Sequence, residues 1–84
     1  MTDSERKVII ITGSSSGIGA ESAKLAARSG YNVLVNYNSN ADGAEAVVAY
    51  CKEQGVDAVA VGANVANDED CRRMAAVAKF SLFY

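Results

Sequence analysis

Residues 8–19 constrain this chain more than any other stretch, because an unbroken apolar run leads directly into a segment of glycine and serine. The run, Val8–Ile11, consists of four β-branched residues, which is the pattern of a parallel strand covered on both faces. Gly13, Gly17 and Gly19 follow at positions where the chain must turn sharply and pack closely. The stretch therefore predicts a central strand, a tight turn and the start of a helix.

The turn and the helix start together predict a binding site for a phosphate group. The first N–H groups of a helix have no partner within the helix and lie at the positive end of its dipole. Ser14, Ser15 and Ser16 add small hydroxyl donors, and Thr12 can brace the turn. Glycine and serine clusters are often only loops, but the position between a buried strand and an amphipathic helix favours a pyrophosphate here.

Length and composition limit the chain to one small domain. Its 84 residues are 50% apolar, which is typical of a globular protein. The net charge of −2 comes without a basic stripe, so we expect no nucleic-acid partner, and no apolar run is long enough for a membrane span or a signal peptide. Two isolated cysteines and no histidine argue against a metal site and indicate that Cys51 is a buried, reduced thiol. We therefore predict a cytoplasmic protein.

After the turn, the sequence predicts a first helix and a second parallel strand. The helix ends near Gly30, and its residues Ala23, Ala26 and Ala27 keep one side small enough to lie close to the sheet. The strand covers residues 33–35 and ends at residues 36–38, beside the first strand after a right-handed crossover. The predicted stripe of the helix consists of residues that recur at helical spacing, namely Ile18, Ser22, Leu25, Ala26 and Ser29.

A second helix, a third strand and a third helix complete the predicted order β-α-β-α-β-α. The second helix follows a capping cluster at residues 39–42 and ends at Gly55. The third strand covers residues 57–62, and polar residues 67–70 begin the third helix, with Arg72 and Arg73 on its solvated face. The predicted stripe of the second helix consists of Ala44, Val47, Val48 and Cys51.

Residues 12–19, Thr-Gly-x-x-x-Gly-Ile-Gly, resemble the nucleotide-binding turn of the short-chain dehydrogenase/reductase family. The resemblance extends over about residues 7–80. Within the family, the sequence is most similar to the 3-oxoacyl-carrier-protein reductases and glucose dehydrogenases, which share the Val-Asn-Tyr ending of the second strand. It implies a Rossmann-type α/β half-domain with three parallel strands in the order 3-2-1, and residues 1–84 as an N-terminal dinucleotide-binding part. The implied activity is hydride transfer between NADP(H) and a carbonyl or alcohol substrate.

The resemblance also implies which residues hold the cofactor. The turn would line the pyrophosphate and ribose, and Asn64 would bond the adenine amino group, although it can also be read as a turn residue. Tyr37 stands where NAD-preferring members carry an acidic residue, so NADP is expected over NAD, while NADP-binding members often carry Arg or Lys at the positions of Ser16 or Asn38. The full predicted set is Gly13, Ser15, Ser16, Gly17, Ile18, Gly19, Tyr37, Asn38, Ser39, Asn64 and Val65.

The catalytic residues of the family have no counterpart in this sequence. Its general acid/base Tyr, the Lys four residues later and an upstream Ser are not found, and residues 81–84 replace the expected glycine turn and fourth strand. We expect a truncated or frame-shifted member, or a fragment, that binds cofactor without turnover and associates through the open edge of its first strand, as a homo-oligomer or otherwise. Two alternatives are a non-catalytic dinucleotide-binding or interaction module and a methyltransferase-type fold, which Tyr37 disfavours.

Overall fold

The computed structural model describes residues 7–82, which form three strands and three helices in alternation. All strands are parallel and adjacent in the order β1-β2-β3, so the predicted fold class and the order 3-2-1 are confirmed. Residues 83–84, part of the segment predicted to replace the glycine turn and fourth strand, lie outside the described residues. The elements are β1 (Val8–Ile11), α1 (Gly17–Arg28), β2 (Asn32–Tyr37), α2 (Ala41–Glu53), β3 (Ala58–Gly62) and α3 (Asp68–Leu82).

The sheet separates two hydrophobic clusters. On one face, α1 and α2 cover Val33 and Val35 of β2, and on the other face α3 covers Leu34. Successive residues of β2 serve opposite faces because side chains alternate along a strand. Residues 32–36 are all buried, which makes β2 the centre of the described fold.

β1 lies at an edge of this sheet, as predicted from the missing counterpart of the fourth strand, although its apolar run alone is the pattern of a central strand. Within residues 7–82 it pairs with β2 on one side, from Val8 opposite Asn32 to Ile11 opposite Val35, and with no strand on the other. Ile10 is consequently 40% exposed. The apolar run thus predicted the strand correctly, but its expected cover on both faces is incomplete in the described chain.

The buried face of α1 differs from the predicted stripe. Ile18 and Leu25 are 88% and 58% exposed, so that part of the prediction was wrong. The expected close approach of α1 to the sheet through its small side is confirmed, because α1 packs against both β2 and α2 and leaves room only for methyl groups. The buried residues of α1 are Ala20, Ala23, Ala26 and Ala27.

The packing of α2 and α3 agrees more closely with the predictions made from the sequence. All four residues of the predicted α2 stripe are buried, and the Asn40 Oδ1 atom caps the helix by accepting a hydrogen bond from the Gly43 N–H at 3.0 Å. α3 continues through Leu82, whose side chain is only 1% exposed, so residues 81–82 are helical. None of these three described helices has the combination of length and apolar character that crossing a membrane requires.

Cys51 and Cys71 should differ in their reactivity toward thiol reagents. Cys51 is fully buried, as predicted, and its Sγ atom lies 3.9 Å from the Ala23 carbonyl oxygen. Burial raises the pKa of the Cys51 thiol, while Lys24 lowers it to a smaller extent, so the reactive thiolate is scarce at neutral pH. We expect a maleimide to modify the partly exposed Cys71 about tenfold faster in the folded chain, and at a similar rate in denaturant. Equal rates in the folded chain would contradict the burial of Cys51.

Candidate functional site

The carboxyl ends of the three strands converge on a cleft of about 280 Å³. In open parallel sheets this is the edge at which ligands bind. Its walls come from the turn after β1, the end of β2 and the loop after β3, and none of the lining residues carries a charge. The lining consists of Thr12, Gly13, Asn36, Asn38, Ala63, Asn64 and Val65.

The three glycines of the turn have two different structural roles. Gly13 and Gly17 adopt left-handed backbone conformations with φ of 60° and 61°, and a β-carbon at either position would meet no heavy atom within 4 Å. At Gly19 a β-carbon would collide with the backbone of Gly13 and lie 2.9 Å from the Ser14 Cα atom. Gly19 therefore lets α1 pack on the turn, whereas Gly13 and Gly17 leave open space beside it.

The N-terminus of α1 is not capped by a side chain. Its N-cap residue Ser16 is extended and makes no side-chain cap hydrogen bond, and the first turn contains no acidic residue. In contrast, Asn40 caps α2, and α3 has three acidic residues in its first turn together with an Asn67 cap. The positive end of α1 is therefore the one among these helices that neither a capping side chain nor a nearby carboxylate compensates.

The three serines of the turn differ in their burial. Ser14 is fully buried, and its hydroxyl donates to the Ile11 carbonyl oxygen at 2.7 Å. It therefore braces the turn, a role predicted for Thr12, and is not a phosphate donor as the sequence suggested. Ser15 is partly buried and Ser16 is exposed, so both residues are more accessible to a ligand than Ser14.

The end of β2 presents one residue of the predicted set to the cleft. Asn38 is exposed and lines the cleft, whereas Ser39 is exposed just before α2. Tyr37 is half-buried, and its ring packs so closely on β3 that a β-carbon on Gly62 would lie 3.0 Å from the ring. The aromatic ring thus occupies the space over the end of β3, and no carboxylate stands at this position.

Asn64 forms a turn after β3, which is the second interpretation of this residue. Its Oδ1 atom accepts a hydrogen bond from the Ala66 N–H at 3.0 Å, and its own N–H donates to the Asp70 Oδ2 atom at 2.8 Å. Val65, next to it, is 50% exposed. Both residues still line the cleft, so this turn presents an amide and an apolar side chain to a ligand.

Arg73 holds the end of β3 and is not simply a solvated residue. Its Nη2 atom donates to the Gly62 carbonyl oxygen at 2.7 Å and lies 3.7 Å from the Asp70 Oδ1 atom. Arg72 and Arg73 are both exposed, as predicted for the solvated face of this helix, and Arg73 in addition binds the end of β3. Asp70 thus joins α3 to the loop after β3 at Asn64, and Arg73, which lies beside Asp70 within the helix, joins α3 to the end of β3 at Gly62.

The sequence and the fold of this chain both match those of known proteins. The short chain dehydrogenase family profile matches residues 7–82. The chain belongs to the short-chain dehydrogenase family. A relative, the 3-oxoacyl-[acyl-carrier-protein] reductase of Staphylococcus epidermidis, is 46% identical over 68 residues, which cover 81% of this chain and 28% of that protein.

Solved structures of the short-chain dehydrogenase family share the fold. A short-chain dehydrogenase/reductase from Burkholderia xenovorans is 34% identical with a TM-score of 0.87, over 93% of this chain and 32% of that one. A dehydrogenase from Burkholderia cenocepacia with bound NADP is 27% identical with a TM-score of 0.82, over 89% of this chain and 29% of that one. The chain therefore spans about a third or less of the relatives that it matches.

Only part of the residue set predicted for a short-chain dehydrogenase meets in the cleft. Gly13, Asn38, Asn64 and Val65 line it, while residues 15–19 follow the turn into α1, and Tyr37 and Ser39 flank the end of β2. Sequence reasoning missed Asn36, although a polar residue directly after Val-Leu-Val in a buried strand is a recognisable signal. It also missed Gly43, where a β-carbon would lie 2.5 Å from the Ser15 carbonyl oxygen, so that the start of α2 abuts the turn.

Proposed function

We propose that this chain is the NADP(H)-binding part of a short-chain dehydrogenase/reductase. The whole protein would transfer hydride between the nicotinamide and a small carbonyl or alcohol substrate. The observation that carries the proposal is the open space at Gly13 and Gly17 beside the uncapped N-terminus of α1. A pyrophosphate suits this place because it accepts hydrogen bonds from backbone amides and is stabilised by the helix dipole.

Each part of the cofactor would meet a different segment of the chain. The turn from Gly13 to Gly19, including Ser15 and Ile18, would hold the pyrophosphate and the adjoining ribose. Asn64 and Val65 would contact the adenine, whose polar edge and flat ring suit an amide beside an apolar side chain. When bound, the cofactor supplies or accepts the hydride. The residues proposed for the ribose and its 2′-phosphate are Ser16, Tyr37, Asn38 and Ser39.

We propose that NADP is preferred over NAD. Tyr37 places no carboxylate where it would repel a 2′-phosphate, and the cleft lining is uncharged. The preference would therefore come from neutral donors such as the Asn38 amide, without the cation that gives phosphate sites their strongest hydrogen bonds.

This account predicts that Asn38→Arg tightens NADPH binding about tenfold, because a guanidinium at the rim of the cleft adds a charge-assisted hydrogen bond to the 2′-phosphate. Affinity for NADH, which lacks that phosphate, should change by no more than about twofold. Calorimetric titration of the original chain and of Asn38→Arg with NADPH and with NADH measures the effect. An equal gain for NADH would show that the cation acts elsewhere on the cofactor.

We further propose that the chain by itself binds cofactor without turnover, since its sequence offers no Ser, Tyr and Lys at the family's spacing. The buried free thiol of Cys51 supports a reducing, cytoplasmic location. The open edge of β1 supports association between copies, because the backbone groups on the side of β1 away from β2 have no strand partner within the described residues.

The proposed function is tested by titrating the chain with NADPH, NADH and S-adenosylmethionine in a calorimeter. We expect binding of NADPH with an affinity of about micromolar order, weaker binding of NADH and none of S-adenosylmethionine. In parallel, NADPH oxidation with simple ketones should stay at the rate without protein. A chain that binds neither dinucleotide, or that oxidises NADPH, would overturn the proposal.

A further inference from the structure

The end of β2 carries a buried amide that joins the other two walls of the cleft. Asn36 is only 2% exposed, and its Oδ1 atom accepts a hydrogen bond from the Gly13 N–H at 3.0 Å. Its Nδ2 atom donates to the Ala63 carbonyl oxygen at 3.2 Å and lies 3.4 Å from the Val61 and Tyr37 carbonyl oxygens. One planar group thus links the turn after β1 to the loop after β3.

The backbone of Asn36 is bound to the same turn. Its carbonyl oxygen accepts a hydrogen bond from the Ser14 N–H at 2.9 Å, and its N–H donates to the Ser14 hydroxyl oxygen at 3.1 Å. The Ser14 hydroxyl in turn donates to the Ile11 carbonyl oxygen. Ser14 therefore extends the hydrogen bonding between β1 and β2 by one further residue. These bonds fix the position at which the turn departs from the sheet.

We propose that Asn36 is a positioning residue for the nucleotide, which sets the distance between the backbone of Gly13 and the loop at Ala63. This rests on the proposed function, because Gly13 and residues 64–65 belong to the proposed cofactor site. The residue type matters because one wall presents an N–H and the other a carbonyl oxygen. An amide satisfies both at once, whereas an ionised carboxylate offers only acceptors and an aliphatic side chain offers neither.

Asn32 is a matched control at the other end of the same strand. It lies four residues earlier on the same face of β2 and is fully buried. Its Oδ1 atom accepts from the Asp57 N–H at 2.9 Å, and its Nδ2 atom donates to the Leu82 carbonyl oxygen at 3.0 Å. Replacing it disturbs the same kind of hydrogen bonds without touching the cleft, so it separates loss of stability from loss of positioning.

The experiment titrates NADP+ into the original chain, Asn36→Asp and Asn32→Asp between about pH 5 and about pH 8. At about pH 8, the affinity of Asn36→Asp for NADP+ should be about tenfold weaker than that of the original chain, because the introduced carboxylate then faces carbonyl oxygens. It should recover to within about threefold at the lower end, because the protonated carboxyl group donates to Ala63 again. Expressing each affinity relative to the original chain at the same pH removes the titration of the cofactor's own phosphate.

The direction of this pH dependence follows from the surroundings of Asn36. Burial and the facing carbonyl oxygens raise the pKa of a carboxyl group placed there, so its neutral form returns at mildly acidic pH. The ionisable side chains near this end of the cleft are Tyr37 on β2, together with Asp70 and Arg73 on α3, which bind the backbone next to Ala63. The turn at residues 12–16 has no acidic or basic side chain. Asn32→Asp should lower stability but keep the affinity of the original chain at every pH.

The positioning role is overturned if Asn36→Asp binds within about twofold of the original chain throughout the pH range, or if Asn32→Asp loses as much affinity. Amide hydrogen exchange of the original chain provides a test that needs no variant. The Gly13 amide should exchange about a hundredfold more slowly than that of exposed Ser16, and equal exchange would also overturn the role. If the original chain protects Gly13 but does not bind NADP+, the proposed function fails and the nucleotide role of Asn36 fails with it.

Discussion

Gly17→Ala is expected to weaken NADPH binding about a hundredfold while leaving the chain folded. The new β-carbon would enter the open space beside the first amides of α1, where the pyrophosphate is proposed to lie. It would also strain a backbone with φ of 61°, at a cost of about 1 kcal/mol in the free energy of unfolding. Affinity is measured by calorimetric titration and stability by urea unfolding.

Gly30→Ala is the control for Gly17→Ala. Gly30 follows the opposite end of α1, has φ of 93°, and its β-carbon would likewise meet no atom within 4 Å. The added methyl group is therefore matched and the position is remote from the cleft, while the backbone strain at Gly30 is at least as large because its φ lies beyond the left-handed region that other residues adopt. We expect Gly30→Ala to lower stability at least as much as Gly17→Ala and to leave NADPH affinity unchanged. Full affinity in Gly17→Ala, or an equal loss in Gly30→Ala, would contradict the proposed pyrophosphate site.

The chain is expected to self-associate with increasing concentration, and Ile10→Lys is expected to make it monomeric. The Asn32 N–H donates to the Lys7 carbonyl oxygen at 2.9 Å, so alternation along the strand directs the backbone groups of Val8 and Ile10 away from β2. In an antiparallel pair about a two-fold axis, these groups would bond to those of a second copy. A lysine at the 40% exposed Ile10 places a charge on this edge, which disfavours such pairing.

Sedimentation velocity at several concentrations measures this association, with Leu25→Lys as the control. Leu25 is 58% exposed on α1, so the same change there adds a charge to an apolar surface away from the strand edge. We expect Leu25→Lys to associate like the original chain. A monomeric original chain at high concentration, or monomers produced by Leu25→Lys and not by Ile10→Lys, would contradict association through β1.

Helix packing illustrates how much of the fold could be predicted. The α2 stripe was predicted correctly because its apolar residues recur at a single helical spacing and all face one way. For α1 the same reasoning selected Ile18 and Leu25, which are exposed, because it could not weigh the space available between the helix, the sheet and α2. The size of a buried side chain depends on the distance between elements, and that distance is not encoded locally.

The amino-acid sequence was enough to predict the order of the elements, the parallel strands and the glycine turn, since these follow from hydrophobic period, crossover geometry and the unique backbone freedom of glycine. The folded chain was needed to show that Ser14 turns inward, that Arg73 binds the end of β3, and that Asn36 joins two walls of the cleft. The Asn36 side chain bonds to backbone groups of Gly13 and Ala63, which lie 23 and 27 residues away in the sequence. These two partners come together only once β1, β2 and β3 lie side by side.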